Sequence, residues 1–482
     1  MYCMNIITKC LPVFDRAMAL EMALLVDIGS TFTKCVLVDL EGEEVIGWSN
    51  APTTVKTDVT IGLREALSKL EIALGIKVSD AKYKFACSSA KGGLRLAVIG
   101  LVPDLTVEAG KRAALGAGAK VIGTYSYGLT KRDIEKLVQD PPDIILLTGG
   151  IDGGDKEVII HNAKMLAKST LDVPIVVAGN RVAADEVEYI LTSAGKSYVK
   201  VVENVLPELN KLVVEPAREA IREIFCERIV KAKGMEKVRE LVDDVIMPTH
   251  AATLEAAKLL ADGYGEEKGF GELLVVEVGG ATVNVHSIAE WRPAYPDVIM
   301  KGIPEPRVKR TVEGDLGIRY NAPSILELVG FDKLQELTGL SKAVLDNEIH
   351  KLPLNVSRLP VTEDEFLIDE ALARLAVEMA VSRHVGTITT MYTPDGEVNL
   401  QYGKDLRDVK CVIGTGGPIV FSRRPRWVLE GALYDEKKPH LLKPQKPKLF
   451  IDKKYIMFAM GLLSKVSPQK ALRILKKYLC EV

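Results

Sequence analysis

Two short stretches of this chain combine residue types that could do chemistry. The first is Asp27-Ile28-Gly29-Ser30-Thr31-Phe32-Thr33-Lys34, at the tightest point of an apolar hairpin. Gly29 permits a tight turn and close approach of a ligand. Successive backbone N–H groups in such a turn point into one concavity, which suits an anion. Ser30, Thr31 and Thr33 add hydroxyl donors, and Lys34 adds a point charge suited to phosphate. Asp27, at the strand end, would repel phosphate unless a divalent cation sat between them. Mg²⁺ is held in this way, by one or two carboxylates together with phosphates and waters. A polar turn with no ligand is the plainer alternative, but hairpin turns favour Asn-Gly or Asp-Gly pairs. The second stretch, Glu277-Val278-Gly279-Gly280-Ala281-Thr282-Val283-Asn284, follows the same logic: an acid ends a strand, then glycines and a threonine. Two such loops facing each other would clamp a triphosphate from two sides. Asp27 and Glu277 are the candidate catalytic carboxylates and metal ligands. A third loop, Gly414-Thr415-Gly416-Gly417-Pro418, follows an apolar strand and would let backbone lie flat against a base or sugar.

The elements that must position these loops are legible as strands over 23–28, 34–40 and 44–52. A helix follows over about 58–75, with Asp58 near its N-cap. Ser88, Ser89 and the Gly92-Gly93 pair read as a lobe hinge or a phosphate-facing loop. From about 95 to 205, five short apolar strands alternate with four helices, the pattern of an open parallel sheet with helices on both faces. Right-handed crossovers make that unit flavodoxin-like or Rossmann-like. The segment 206–270 reads as a helical connection. GELLVVEVGGATVNVHSIAE then repeats the strand–turn–strand pattern of the opening motif, and 323–385 is mostly helical. VGTITTMYTP and EVNLQY pair about an Asp395-Gly396 turn, and the Lys/Pro run 436–448 reads as a solvated connector.

At 482 residues the chain exceeds one core. A net charge of −2 gives no electrostatic argument for nucleic acid. Seven cysteines, an odd number with no CxxC, read as reduced thiols, so the expected location is cytoplasmic. No run of 18 apolar residues exists, so no membrane span is expected. Residues 1–21 read as a dispensable tail.

The order of these loops resembles the phosphate-1, phosphate-2 and adenosine motifs of the actin–Hsp70–sugar kinase superfamily. More narrowly, VDIGSTFTK, CSSAKGGLRL, LLTGGIDGG, VGGATVNVHS, RTVEGDLG, IGTGGP and YIMFAMGLL together resemble the MutL/GlmL family over about 22–475. Its members are accessory proteins of adenosylcobalamin-dependent mutases and aminomutases such as glutamate mutase. The mismatch-repair ATPase of the same name belongs to a class that needs a helical Asn and a DxGxG loop, and neither occurs here in order. The resemblance implies an α/β fold: two ribonuclease-H-like lobes, 22–94 and 271–482, the second with the helical insertion 323–385. Between them lie an inserted flavodoxin-like (Rossmann-like) parallel domain at 95–205 and the connection 206–270. It implies ATP and Mg²⁺ as cofactors. Asp27 would hold Mg²⁺ through water, and Ser30, Thr31, Thr33 and Lys34 the β/γ-phosphates. Gly279, Gly280 and Thr282 would form the second phosphate loop, and Gly414, Gly416 and Gly417 would sit against adenosine. The implied function is ATP-driven release of damaged cobalamin from a mutase or aminomutase, with homodimerisation left open. A small-molecule kinase of the same superfamily and a nucleotide-gated assembly protein are the alternatives.

The chain departs from the family pattern at Glu277 and Asn284, where the family often has Asp at both. Glu277 keeps a carboxylate able to orient or deprotonate water, while Asn284 removes a charge near the phosphates. ATP binding with slow hydrolysis is therefore expected. The insert resembles the cobalamin-binding domain of the mutases but lacks the DxHxxG sequence, so it is expected to mimic that domain without binding cobalamin. Among the histidines, His161 reads as a surface residue rather than a ligand, His250 as a cap or terminator of its segment, and His286 as a packed strand residue, with a nucleotide-facing position as the alternative.

Overall fold

A computed structural model describes residues 21–54, 57–89, 94–229, 235–394 and 396–482. The expected tail up to residue 20, the Gly92-Gly93 pair and Asp395 lie outside the described residues.

The apolar run Met22–Ile28 forms the buried centre of the first sheet. On one side it pairs antiparallel with Phe32–Asp39, which pairs antiparallel with Glu44–Pro52. On the other side lies Tyr83–Ser88, parallel, and beyond it Asp244–Pro248, also parallel. The second sheet has the same arrangement. Leu273–Val278 is central, Val283–Ile288 and Val308–Glu313 follow antiparallel, and Cys411–Thr415 and Lys448–Asp452 run parallel on the other side. A short strand, Leu479–Glu481, extends that edge. Register makes the duplication explicit: Asp27 faces Lys34 in the first hairpin, and Glu277 faces Asn284 in the second. This repeated strand order gives the α/β fold of the actin–Hsp70–sugar kinase type.

A third sheet is all parallel, in the order Lys120–Ser126, Arg95–Gly100, Ile144–Leu147, Ile175–Val177, Val199–Val201. That is the 2-1-3-4-5 order of flavodoxin-like folds. It enters the chain between the fourth and fifth strands of the first sheet.

The connection over 206–270 is not purely helical. It contains the helices Glu215–Ile229, Met235–Val238 and Thr249–Asp262, but also the strand Asp244–Pro248. Five residues ending in proline carry too little periodicity to stand out from helical flanks. The open edge of Tyr83–Ser88 decides their conformation. The Lys/Pro run is likewise not wholly solvated. Lys443 is 1% exposed, and its ammonium donates to the carbonyls of Gly431 (3.0 Å) and Glu378 (3.3 Å). Burial lowers it to about 8.

Asp58 caps the helix Val59–Leu74 by accepting from Thr60 N, which satisfies one orphan donor of the first turn. The helix Thr249–Asp262 is buried along most of its length and rich in alanine. Its small side chains let the helix Met457–Leu463 cross closely: a Cβ at Gly461 would lie 1.9 Å from Ala252 O. This pair joins the two large sheets in one core. Among the described residues, no helix is long and apolar enough to cross a membrane.

Candidate functional site

Both hairpins close with the same bond: Gly29 N donates to Phe32 O (3.1 Å) and Gly279 N to Thr282 O (2.9 Å). The turns face each other, since a Cβ at Gly280 would lie 3.4 Å from Thr31 Oγ1. That hydroxyl is buried with no hydrogen-bond partner among the described residues. A buried polar atom left unpaired is costly, and it marks a place where a ligand acceptor fits. The backbone of Ile318, Arg319 and Tyr320 supports the second turn by donating to the carbonyls of Gly279 and Gly280. Just before this support, Glu313 and Asp315 of the EGDLG motif pair with Arg383.

Asp27 is 1% exposed. Its Oδ2 accepts from Lys34 Nζ (2.6 Å) and its Oδ1 from Thr249 Oγ1 (2.6 Å). Burial works against the Lys34 ammonium, but the Asp27 carboxylate outweighs it and raises Lys34 above the usual range. The Lys34 ammonium also lies 4.6 Å from the centre of the Tyr455 ring, which follows the second sheet. The pair of cleft-side residues in the first hairpin is thus Asp27 and Lys34. Thr33 points to the opposite face, fully buried, with its hydroxyl 2.9 Å from that of Thr53. Strand alternation carries that signal: residues 33 and 34 cannot share a face.

Glu277 accepts from His250 Nδ1 (3.0 Å) and lies 3.8 Å from His286 Nε2. Burial alone would raise its carboxyl, but His250, with a smaller contribution from His286, holds it well below the usual range. Burial pulls His286 down to about 4 despite the nearby carboxylate, so it is neutral at pH 7. The working donor to Glu277 is therefore His250. Asn284 Nδ2 is also 3.0 Å from His250 Nδ1, while Asn284 Oδ1 accepts from Arg310 Nη2 (2.7 Å). One ring nitrogen cannot donate to Glu277 and accept from Asn284 at once. Asn284 is therefore a buried neighbour of Glu277, held on one side by Arg310 and lying against the His250 ring on the other. The neutral amide places no charge here, and its oxygen is taken up by Arg310.

Thr249 and His250 open a single helix, so one helical turn holds the carboxylates of both hairpins. Sequence reasoning missed this role of His250, because the contact joins residues brought together only by the two sheets. His286 and Arg310 had a partial signal. Residues 277, 284, 286 and 310 share one sheet face by register.

The third loop meets the second hairpin. Gly416 has φ +92°, and a Cβ there would lie 2.1 Å from Val278 O, so glycine is required. A Cβ at Gly414 would collide with Ile419 and Leu429, a packing demand inside the second lobe. Gly417 opens the short helix Gly417–Val420, where a Cβ would make only ordinary contact with the Phe421 ring (3.8 Å). Phe421 follows and meets Trp48 of the first sheet edge-on (6.2 Å between centroids) and Tyr455 (6.4 Å).

Asp452 ends the strand beside this loop and accepts from Thr415 Oγ1, Ile456 N and Met457 N. Burial, only partly opposed by these bonds, pushes it up to about 6. A carboxyl raised in the folded state stabilises below its unfolded value of 3.8, and that contribution is lost as pH rises through about 6. Asp452→Asn should therefore remove a downward slope of stability between those pH values. The check is the difference between wild-type and variant melting temperatures across that range; parallel curves would contradict it.

The chain matches the family described as "MutL protein" over residues 23–479. It is 49% identical over 463 residues to Protein MutL of Clostridium tetanomorphum, covering 96% of this chain and 100% of that one. Among solved structures, it is similar to xylulose kinase from Bifidobacterium adolescentis (TM-score 0.32, 12% identity, 94% of this chain and 93% of that one). It is also similar to the activator of 2-hydroxyisocaproyl-CoA dehydratase from Clostridium difficile with bound ADPNP (TM-score 0.30, 10% identity, 95% of each chain). A further likeness is to a glycerol dehydratase reactivase (TM-score 0.32, 9% identity, 92% of this chain and 99% of that one). These scores are low, and the fold rests on the strand orders of the sheets.

Proposed function

This chain belongs to the MutL family, and on that premise we propose that it binds Mg-ATP between its two hairpins and acts as an ATP-dependent accessory protein. Its client, in this reading, is an adenosylcobalamin-dependent mutase or aminomutase, from which lobe closure and slow hydrolysis release damaged cobalamin. The observation that carries the reading is the single helix start, Thr249-His250, bonded to Asp27 on one side and Glu277 on the other. A ligand that changes the charge balance at either carboxylate acts on both lobes through one rigid element.

The residues present fit the cofactor. The orphaned Thr31 hydroxyl and the turn at Gly29 suit a phosphate, and Lys34 supplies the positive charge. Asp27 would hold Mg²⁺ through water, and Glu277 is the second carboxylate available to it. When bound, the ion supplies charge neutralisation at the phosphates. Glu277, kept ionised by His250, orients the attacking water and takes its proton. Gly416 and Gly417 present backbone to the adenosine. The 2-1-3-4-5 order of the inserted sheet supports the view that it mimics a cobalamin-binding domain.

The test is Mg²⁺-dependent ATP turnover by the full chain, with and without a cobalamin mutase inactivated by hydroxocobalamin, with Asp27→Asn as control. Turnover stimulated by the mutase and lost in the control is the expected result. Turnover indifferent to the mutase would overturn the accessory reading, and phosphorylation of a small metabolite would replace it with a kinase. Nucleotide binding with no turnover in either condition would leave a nucleotide-gated scaffold and remove Glu277 as a base.

A further inference from the structure

A cavity of about 250 Å³ lies between the insert and the second lobe, and none of its lining residues belongs to either hairpin turn. Its walls come from the helix Glu108–Gly116, Arg218 of the helix Glu215–Ile229, and the strand Val308–Glu313 with its neighbours. Six lining side chains are cationic: Lys111, Arg112, Arg218, Lys309, Arg310 and Arg383. Two lining side chains are acidic, Glu108 and Glu305. Glu305 serves both Arg112 and Lys309, and Glu108 serves Arg112 and Lys111. Arg218 and Arg383 find carboxylates outside the lining, at Glu215 and at Glu313 with Asp315.

Arg310 differs from the other five. It is buried, yet among the described residues it pairs with no carboxylate. Its Nη1 donates to the carbonyls of Leu115 (2.8 Å) and Ala119 (3.2 Å), and its Nη2 to Asn284. Its Nε, like that of Arg218, is buried without a partner among the described residues. Glu277 favours the Arg310 charge without bonding to it, and burial outweighs that help; a buried guanidinium with no directly bonded counter-charge is costly. A planar guanidinium fork also matches an oxyanion in both charge and geometry.

We propose that this cavity is a binding site for a small oxyanion, a phosphate- or carboxylate-bearing metabolite, separate from the nucleotide cleft. The ligand supplies the directly bonded counter-charge that Arg310 lacks and draws on Lys111 at the half-exposed rim. Because Arg310 bonds to the insert and to Asn284 together, the site lies at the joint between the insert and the second hairpin. The inference does not depend on ATP turnover.

The experiment is calorimetric titration of the full chain with inorganic phosphate in one arm and citrate in the other. It is repeated on Lys111→Glu and on Lys34→Met, with urea unfolding used to confirm that each variant is folded. Hydrogen exchange is followed over 108–116 and 305–311. Saturable binding in at least one arm is expected, weakened about tenfold in Lys111→Glu, retained in Lys34→Met, and accompanied by slowed exchange in both segments. Binding of phosphate alone assigns a phosphorylated ligand, and binding of citrate alone a carboxylate. No saturable binding in either arm overturns the proposal. So does binding lost in Lys34→Met but kept in Lys111→Glu, which would assign the anion to the cleft.

Discussion

Asp27→Ala should destabilise the protein by about 3–5 kcal/mol, the range for breaking a buried ion pair from one side. The lysine left behind has a side chain only 13% exposed, and the alanine offers it nothing. Thr249 would lose its acceptor at the same time. The Tyr455 ring remains over the ammonium, but a cation–π contact contributes only about 0.5–2 kcal/mol. Removing both charges in Asp27→Ala/Lys34→Met should recover much of the loss, because no uncompensated charge is then buried. Urea unfolding of the two single variants and the double variant forms the cycle that measures the coupling. A single variant as stable as wild type would show that the pair contributes nothing. Asp27→Asn keeps an acceptor for Thr249 and is the milder change, which is why it serves as the control in turnover assays.

Glu277→Gln should lower ATP turnover about 10²- to 10⁴-fold, the usual contribution of a general base, while nucleotide affinity changes little. The amide fills the same space but cannot take a proton. Single-turnover kinetics separate this result from a binding defect, and unchanged turnover would remove Glu277 from the chemistry. A pH profile tests the same residue from its partner's side. Glu277 is depressed in the folded state, so its contribution to stability is present above the ordinary value of 4.5 and is lost as pH falls towards the lowered one. His250 is the main group opposing the effect of burial. In His250→Ala, burial acts nearly unopposed, and the acid limb of the turnover profile should move to higher pH. An acid limb that stays in place would mean that His250 does not tune the carboxylate.

The two hairpins are legible as local patterns. Apolar alternation ends at an acid, a glycine forces the turn, and alternation resumes; every one of those signals lies within eight residues. Helix starts such as Asp58 and the β/α rhythm of the insert are legible for the same reason, since period and capping are local properties. The strand Asp244–Pro248 is not, because its hydrogen bonds go to a strand some 160 positions earlier, across the whole insert. The burial of Lys443 is equally invisible in a run rich in lysine and proline.

The sequence by itself determined the residue types at the two turns, their repeat, and the parallel β/α alternation of the inserted domain. Chemistry of that kind is set by side-chain identity and by periods of two and 3.6 residues. Only the tertiary structure decided what those residues do to one another. Asp27 is committed to Lys34 and Thr249, Glu277 to His250, and Asn284 to Arg310. These pairings shift protonation through burial and distance across separate elements, and neither quantity exists until the two sheets close on the helix Thr249–Asp262.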